Sequence, residues 1–435
     1  MLINTERIGS DLRAGAVSLT TRTVVRAMAL SGDPVMRILG RRAPADPYPQ
    51  YERIRARGTV SRHPLGLHVT ADHAVSRAAL RDARWGVGPT RKRPGALDWL
   101  VAAGEEERLI HPVDESLLVL NPPAHTRLRR IASPLFTPHA MRDMTPAVEK
   151  VVTRILDEVA DREQFDLVAD FARRIPLEVI CDLFAVPGAD RDTFVRWGGV
   201  MANTLDGIRT LGERRDVRRV LAEMTEFLGD LVEERRREPG DDLVSRLAAA
   251  APEGEPLDGR TLVVLVGMLL IAGFETVVNA IAGAAVALLE HPDQKALLLD
   301  DLDLAAEAVE EFLRYDPPVQ VLLRVAQEPV TLAGLSLPTG AMLAIALGGA
   351  NRDPAVFDEP HRFDLRRANK RDHLAFSAGI HYCLGAGLAR LEGELALRHL
   401  FSRMPRLALA GEPRLRPVRN IRGPGTVPVR ARGTR

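Results

Sequence analysis

Beyond residue 140, apolar positions recur at helical spacing in 146–160, 216–235, 304–315 and 384–402, so that residues three and four apart line one face. Helix-breaking residues punctuate these runs at Pro187-Gly188, Pro239-Gly240 and Pro252. His291-Pro292 instead puts a proline in the first turn of a helix, where a missing N–H costs little. Alternating patterns are few: 60–71 reads as a hairpin, 321–347 as several short strands joined by turns, and 425–431 as one last strand. The pattern predicts a mainly α, multihelical fold with small β-sheets near the N-terminal and C-terminal parts. No linker or repeat interrupts it, so residues 1–435 read as a single domain, with 1–40 as a poorly defined N-terminal extension.

The stretch from Thr261 to Leu289 departs from amphipathicity altogether. It is long and apolar enough to span a bilayer, and Glu275 is its only charge. The competing reading is a helix buried all round in a large core. A span should be flanked by asymmetric basic loops, whereas Asp258 precedes this one and a mostly acidic 291–303 follows. The buried helix, and no membrane partner, is therefore expected.

Composition narrows the classes. Apolar residues make up 46% and charged residues 27% of the 435, a soluble globular balance that excludes disorder as the main state. Lys+Arg 59 against Asp+Glu 58 gives no electrostatic case for nucleic acid. Cys181 and Cys383 are too few for a disulfide framework or a Cys-rich zinc site. The N-terminus has no apolar stretch after a basic start, so a cytoplasmic, reduced location is expected.

Cys383 draws attention because it joins a glycine-bearing loop, Phe376 to Tyr382, to an apolar helix. A helix N-terminus favours the thiolate, which could ligate a metal or attack an electrophile. Four readings stand side by side: a buried structural cysteine, a Cys–His catalytic pair, a zinc ligand, and an axial haem ligand. Spacing alone does not choose among them.

The stretch FSAGIHYCLGAGLAR resembles the haem-binding signature of the cytochrome P450 family, FxxGxxxCxG, at all four anchors: Phe376, Gly379, Cys383 and Gly385. Ser377 departs from it, since glycine is commoner there. The resemblance implies a non-covalent haem b (iron protoporphyrin IX) with the Cys383 thiolate as axial ligand and Phe376 packed beneath it. Glu311 and Arg314, three apart on a predicted helix, could be a solvated pair of little worth. Beside the cysteine loop they resemble the family's ExxR motif, with Arg367 as its third, structural partner. Glu275 and Thr276 in AGFETVVN resemble the family's acid–alcohol pair, which implies that they guide water and protons to the oxygen site. The bland reading is a packing kink with a paired core acid. His125 and Arg129 resemble the HxxxR motif and, with Arg324 and His381, imply contacts to haem propionates. Arg127 and Arg130 are either solvated or face an electron donor.

The resemblance thus implies a bacterial soluble monooxygenase that puts one atom of O2 into a small hydrophobic substrate. No GxGxxG-type fingerprint for a nucleotide cofactor is visible. Electrons are therefore expected from a separate ferredoxin and ferredoxin reductase, and the chain is expected to act as a monomer. Family analogy places pocket walls at 85–120 and 195–210, at Met268, Ile271 and Ala272, over 319–323 with Leu322 foremost, and at Ile421. The alternative on the same scaffold is a non-enzymatic binder of haem or a hydrophobic ligand.

Overall fold

The structure is a computed structural model and describes residues 32–39, 44–88, 115–186, 191–204, 210–250, 256–416 and 420–431. The breaks at Pro187-Gly188 and Pro252, the first 31 residues, and parts of both pocket spans (89–114 and 205–209) lie outside the described residues.

Helices of seven residues or more are, in chain order, α1 (Tyr48–Arg55), α2 (His73–Arg81), α3 (Ala124–Ala132), α4 (Pro138–Val159), α5 (Arg174–Leu183) and α6 (Arg191–Thr204). Then follow α7 (Leu211–Arg237), α8 (Leu243–Ala249), α9 (Gly259–Glu290), α10 (Pro292–Asp300), α11 (Ala305–Tyr315) and α12 (Ala386–Arg403). The strands are β1 (Ser61–Arg62), β2 (His68–Thr70), β3 (Trp85–Gly86), β4 (Gln164–Asp166), β5 (Val321–Ala326) and β6 (Val330–Leu332). They continue with β7 (Leu335–Leu337), β8 (Met342–Ala346), β9 (Ala408–Leu409), β10 (Arg414–Leu415), β11 (Pro424–Thr426) and β12 (Pro428–Arg430).

The apolar run became the central helix. Asp258 caps α9 by accepting the Thr261 N–H at 2.8 Å, and the helix then continues for 32 residues, about 48 Å at helical rise. It is long and apolar enough to cross a membrane, yet 72% of its most apolar window is buried inside the protein. It packs against α7, α12, α6 and α11. Close approach to α11 needs Gly283, because any Cβ there would run into the Phe312 ring. Helix α7 starts with a capping box in which the Glu213 N–H donates to Thr210 Oγ1 at 3.0 Å.

Two boundaries differ from the sequence pattern. The helix expected over 146–160 begins at Pro138, where Thr137 caps it, and runs through Pro146. The single strand expected over 425–431 is two. Strand β11 pairs with β10, whereas β12 pairs with β4 and β9. Between them Val427 is fully buried; its N–H donates to Asp166 Oδ1 and its carbonyl accepts the Leu167 N–H. Pro428 then offers no N–H to prolong the first ladder.

The largest sheet runs β1-β2-β8-β5-β3, with β2 parallel to β8 and the other neighbours antiparallel. The hairpin read at 60–71 is β1–β2. On β5, Leu323 is exposed while Arg324 beside it is 4% exposed, the alternation of a pleated strand.

Candidate functional site

Cys383 sits two residues before Gly385, the N-cap of α12. The loop leading to it is folded by its own backbone. The Cys383 N–H donates to the Phe376 carbonyl at 2.9 Å, the Ser377 N–H to Leu374 at 2.8 Å, and the Tyr382 N–H to Gly379 at 3.1 Å. Two residues take left-handed conformations, Gly379 at φ 69° and Ser377 at φ 63°. A Cβ at Gly379 would collide with the Leu80 carbonyl oxygen at the end of α2, so glycine is required twice over. Ser377 carries the strain of an L-residue there, and its Oγ accepts from Arg324 Nη2 at 3.4 Å.

Behind the loop, adjacent acids of α11 hold two different segments. Glu311 takes Arg314 in a two-point pair, Nε and Nη2 each at 2.8 Å, and accepts Arg367 Nε at 3.2 Å. Both members of the i, i+3 pair are 0% exposed, so the solvated alternative is set aside. Arg314 also donates to the carbonyls of Asn351, Pro360 and Arg362, and Arg367 to those of Asp358, Glu359 and Arg362. Two guanidinium groups thus hold the 351–367 segment in place. Glu310 instead accepts from His373 Nε2 at 3.1 Å and from Arg390, whose guanidinium lies 4.5 Å over the Phe376 ring. Burial alone would raise the Glu310 carboxyl, but those hydrogen bonds from His373 and Arg390 pull it down to about 2. Glu310 and Arg390 escaped the sequence reading. The available signals were an acid next to Glu311 and an arginine at the end of the cysteine stretch.

The cysteine keeps accessible surface, yet it lies deep enough for burial to push its thiol up. The Gly385 N–H and the charges of Arg129 and Arg390 oppose that shift and favour the thiolate. Around it gather four groups able to carry positive charge. His125 and His381 stack with ring centroids 4.3 Å apart. Among the described residues, both ring nitrogens of His125 and Nε2 of His381 are buried without a hydrogen-bond partner. Burial, His125 and Arg324 depress the His381 imidazole to about 4. Burial brings Arg324 down to about 10, and among the described residues its guanidinium meets the Leu323 carbonyl and Ser377. Burial likewise lowers Arg129, which Cys383 partly offsets. None of these four groups has a carboxylate partner among the described residues. Arg127 and Arg130 are exposed on the outer side of α3. Among the described residues no cluster of three metal-binding side chains exists, so the zinc reading has no support.

On α9, Glu275 is 1% exposed and paired with Arg416, with Arg173 Nη1 at 3.6 Å. Thr276 Oγ1 donates to the Ala272 carbonyl at 2.9 Å. Ala272, Gly273 and Thr276 keep some exposure in the middle of a helix that is otherwise buried there, and together they mark one open face. Met268 and Ile271 are each 4% exposed within the main core, Leu322 is half-buried on β5, and Ile421 bridges to Val319.

Orphaned imidazole nitrogens and a buried arginine without an acid suit the carboxylates of an anionic macrocycle, and the nearby thiol suits its metal. A Cβ at Gly385 would meet no protein atom within 4 Å, so its missing side chain is not demanded by the polypeptide's own packing. This set of groups fits a haem-thiolate site.

The sequence profile described as Cytochrome P450 matches residues 210–405. The 6-deoxyerythronolide B hydroxylase of Saccharopolyspora erythraea is 40% identical over 82% of this chain and 88% of its own. A putative cytochrome P450 140 of Mycobacterium tuberculosis is 37% identical over 94% of this chain and 96% of its own. Among solved structures, Mycobacterium smegmatis CYP164A2 with econazole bound superposes with TM-score 0.82 at 36% identity, covering 91% of this chain and 99% of that one. The chain belongs to the cytochrome P450 family. It is an oxidoreductase, a monooxygenase with a haem-thiolate cofactor, an organic substrate, O2 and redox partners.

The two signature glycines should separate experimentally. Gly379→Ala is expected to destabilise the chain before haem is added, by about 2 kcal/mol or more from the left-handed backbone and the clash. Gly385→Ala, at φ −85° with open space, should stay within ~1 kcal/mol of the parent but retain less haem. Denaturant unfolding of the apoprotein beside haem content reads both. Equal unfolding midpoints for the two variants would contradict the geometry.

Proposed function

We propose that this chain inserts one atom of O2 into a small hydrophobic substrate, by hydroxylation or epoxidation, using electrons from a separate ferredoxin and ferredoxin reductase. The observation that carries this reading is Thr276 on the open face of α9 with the buried acid Glu275 next to it, in a chain that also carries the Cys383 loop. A simple binder needs no buried acid tied to two arginines behind a threonine hydroxyl. We assign Cys383 as the residue whose thiolate would hold a non-covalent haem b, and His125, Arg129, Arg324 and His381 as the groups that would receive its propionates. When bound, the haem supplies the iron at which O2 is activated.

The protein's own groups do the rest. Thr276, fixed by its bond to the Ala272 carbonyl, presents its hydroxyl oxygen on the open face and passes on a proton. Glu275 lies behind it as the proton source, held by Arg416 and Arg173. Apolar side chains near Ala272, Leu322 and Ile421 exclude water and orient the substrate. Arg127 and Arg130, exposed on α3, suit an acidic electron donor. We place the protein in the cytoplasm as a monomer.

Turnover with surrogate ferredoxin and reductase tests this. Oxygenated product that requires O2 is expected, and none from a panel of hydrophobic substrates that bind the haem pocket would defeat the reading. In Thr276→Ala, reducing equivalents should still be consumed while product per equivalent falls roughly tenfold or more and peroxide appears. Unchanged coupling would remove Thr276 from the proton route.

A further inference from the structure

Arg390 stands in the second turn of α12, and its side chain is 31% exposed, so water is open to its guanidinium. It is nevertheless tied at all three nitrogens. Nε and Nη2 donate to the two oxygens of Glu310, the second at 3.3 Å, and Nη1 donates to the Tyr382 hydroxyl at 3.0 Å. So fixed, the guanidinium lies 4.5 Å over the Phe376 ring. Both loop groups that it touches are neighbours of the sulfur. Tyr382 precedes Cys383 in the chain, and the Phe376 carbonyl accepts the Cys383 N–H at 2.9 Å.

Glu310 is the rigid part of this arrangement. It is buried on α11, and its Oε2 also accepts His373 Nε2 at 3.1 Å. The other ring nitrogen of His373 accepts the Ala375 N–H at 3.2 Å, which keeps the ring proton on Nε2 and aims it at Glu310. A buried carboxylate locked by a second donor is an anchor, whereas a guanidinium on a long stem at the surface is free to follow water. Without Glu310, Arg390 would keep only the hydroxyl of Tyr382, itself an exposed side chain. Hydration would then draw the charge outward, away from Phe376 and the sulfur.

We propose that Glu310 is a positioning residue for electron uptake: by holding Arg390 over Phe376 it keeps a positive charge beside Cys383, and so raises the potential at which the haem-loaded protein accepts its first electron. This rests on Cys383 holding the haem as proposed above. The reason is Coulombic. One-electron reduction adds a negative charge at the metal and its sulfur ligand, and a cation fixed nearby favours that state more than one screened by bulk water. Glu310 is itself negative and opposes this effect, but its hydrogen bonds among the described residues go to Arg390 and His373, which stand between it and the loop. Of the pair, Arg390 is the member whose charge reaches the sulfur.

The test is the iron(III)/iron(II) potential of the haem-loaded full chain, measured by spectroelectrochemical titration. Arg390→Gln should move the reduction equilibrium roughly threefold to tenfold towards the oxidised form, at about 59 mV per tenfold for one electron. Glu310→Ala should move it the same way, although it removes a negative charge, because Arg390 is released. Glu310→Asp, which keeps the charge and shortens the reach, should move it part of the way. Adding Glu310→Ala to Arg390→Gln should lower the potential no further. A higher potential in Glu310→Ala would mean that the acid merely neutralises Arg390, and it overturns the proposal. So does an unchanged potential in Arg390→Gln, or a further fall in the double variant. Should Glu310→Ala fail to fold or to hold haem, Glu310→Asp decides, and a parent-like potential there overturns the proposal. The reduced, carbon monoxide-treated spectrum separates the two levels. With the red-shifted Soret band present and the potentials unmoved, the role of Glu310 alone falls; with that band absent from the parent, the thiolate assignment falls first.

Discussion

Replacing Cys383 with alanine is expected to abolish the strongly red-shifted Soret band of the reduced, carbon monoxide-treated protein and, with it, all measurable oxygenation. The expectation follows from where the sulfur sits. It precedes α12, receives the Gly385 N–H, and faces the charges of Arg129 and Arg390, which favour its anionic form against burial. An alanine keeps the loop, because the backbone bond from residue 383 to the Phe376 carbonyl does not involve the side chain. Loss of the signal would therefore report loss of the sulfur ligand rather than collapse of the fold. Cys181→Ala is the control: that residue is buried within α5 in the helical core, and its replacement should leave the spectrum unchanged. A parent-like red-shifted band in the Cys383 variant would remove the thiolate assignment.

Glu311→Ala should produce the largest loss of stability of any single polar substitution considered. It strips the carboxylate from Arg314 and Arg367 together and leaves the Asp364 N–H without its 2.9 Å acceptor. Breaking a buried ion pair costs about 3–5 kcal/mol, because the remaining charge stays desolvated. Here two guanidinium groups are left, against a total stability of about 5–15 kcal/mol for ordinary proteins. Most of the protein is expected in inclusion bodies, and any soluble fraction should unfold at much lower denaturant and retain little haem. Arg362→Ala, which removes only an exposed partner of Glu359, should cost less than ~1 kcal/mol. A Glu311 variant as stable as Arg362→Ala would mean that the buried network is not what fixes the 351–367 segment.

Legibility from sequence tracked the range of the interactions. Cys383, Gly379 and Gly385 lie within one short loop, and Glu311 with Arg314 within one helical turn, so their spacing is visible in the string. The fate of α9 could be read because a run with a single charge has few places to go. Arg416 could not be assigned to Glu275, since 141 residues separate them and arginines are abundant throughout. That Asn279 has no hydrogen-bond partner among the described residues is a property of what fails to reach it, and no pattern encodes that. Ser377 was noticed as a departure, but its left-handed backbone and its contact with Arg324 became visible only in three dimensions. The split of 425–431 turned on Val427 giving its N–H to Asp166, a residue 261 positions away.

The late position of Arg416 and Gly423 also orders events on the ribosome. During synthesis, N-terminal segments compact first, and the central helix is complete long before the ribbon that roofs it has been made. Until residue 416 emerges, Glu275 has Arg173 alone of its two cationic neighbours, at 3.6 Å, so the burial of its carboxylate is less well compensated. Final tightening of the nascent chain therefore waits for this late ribbon, which acts as a keystone set after the arch is raised.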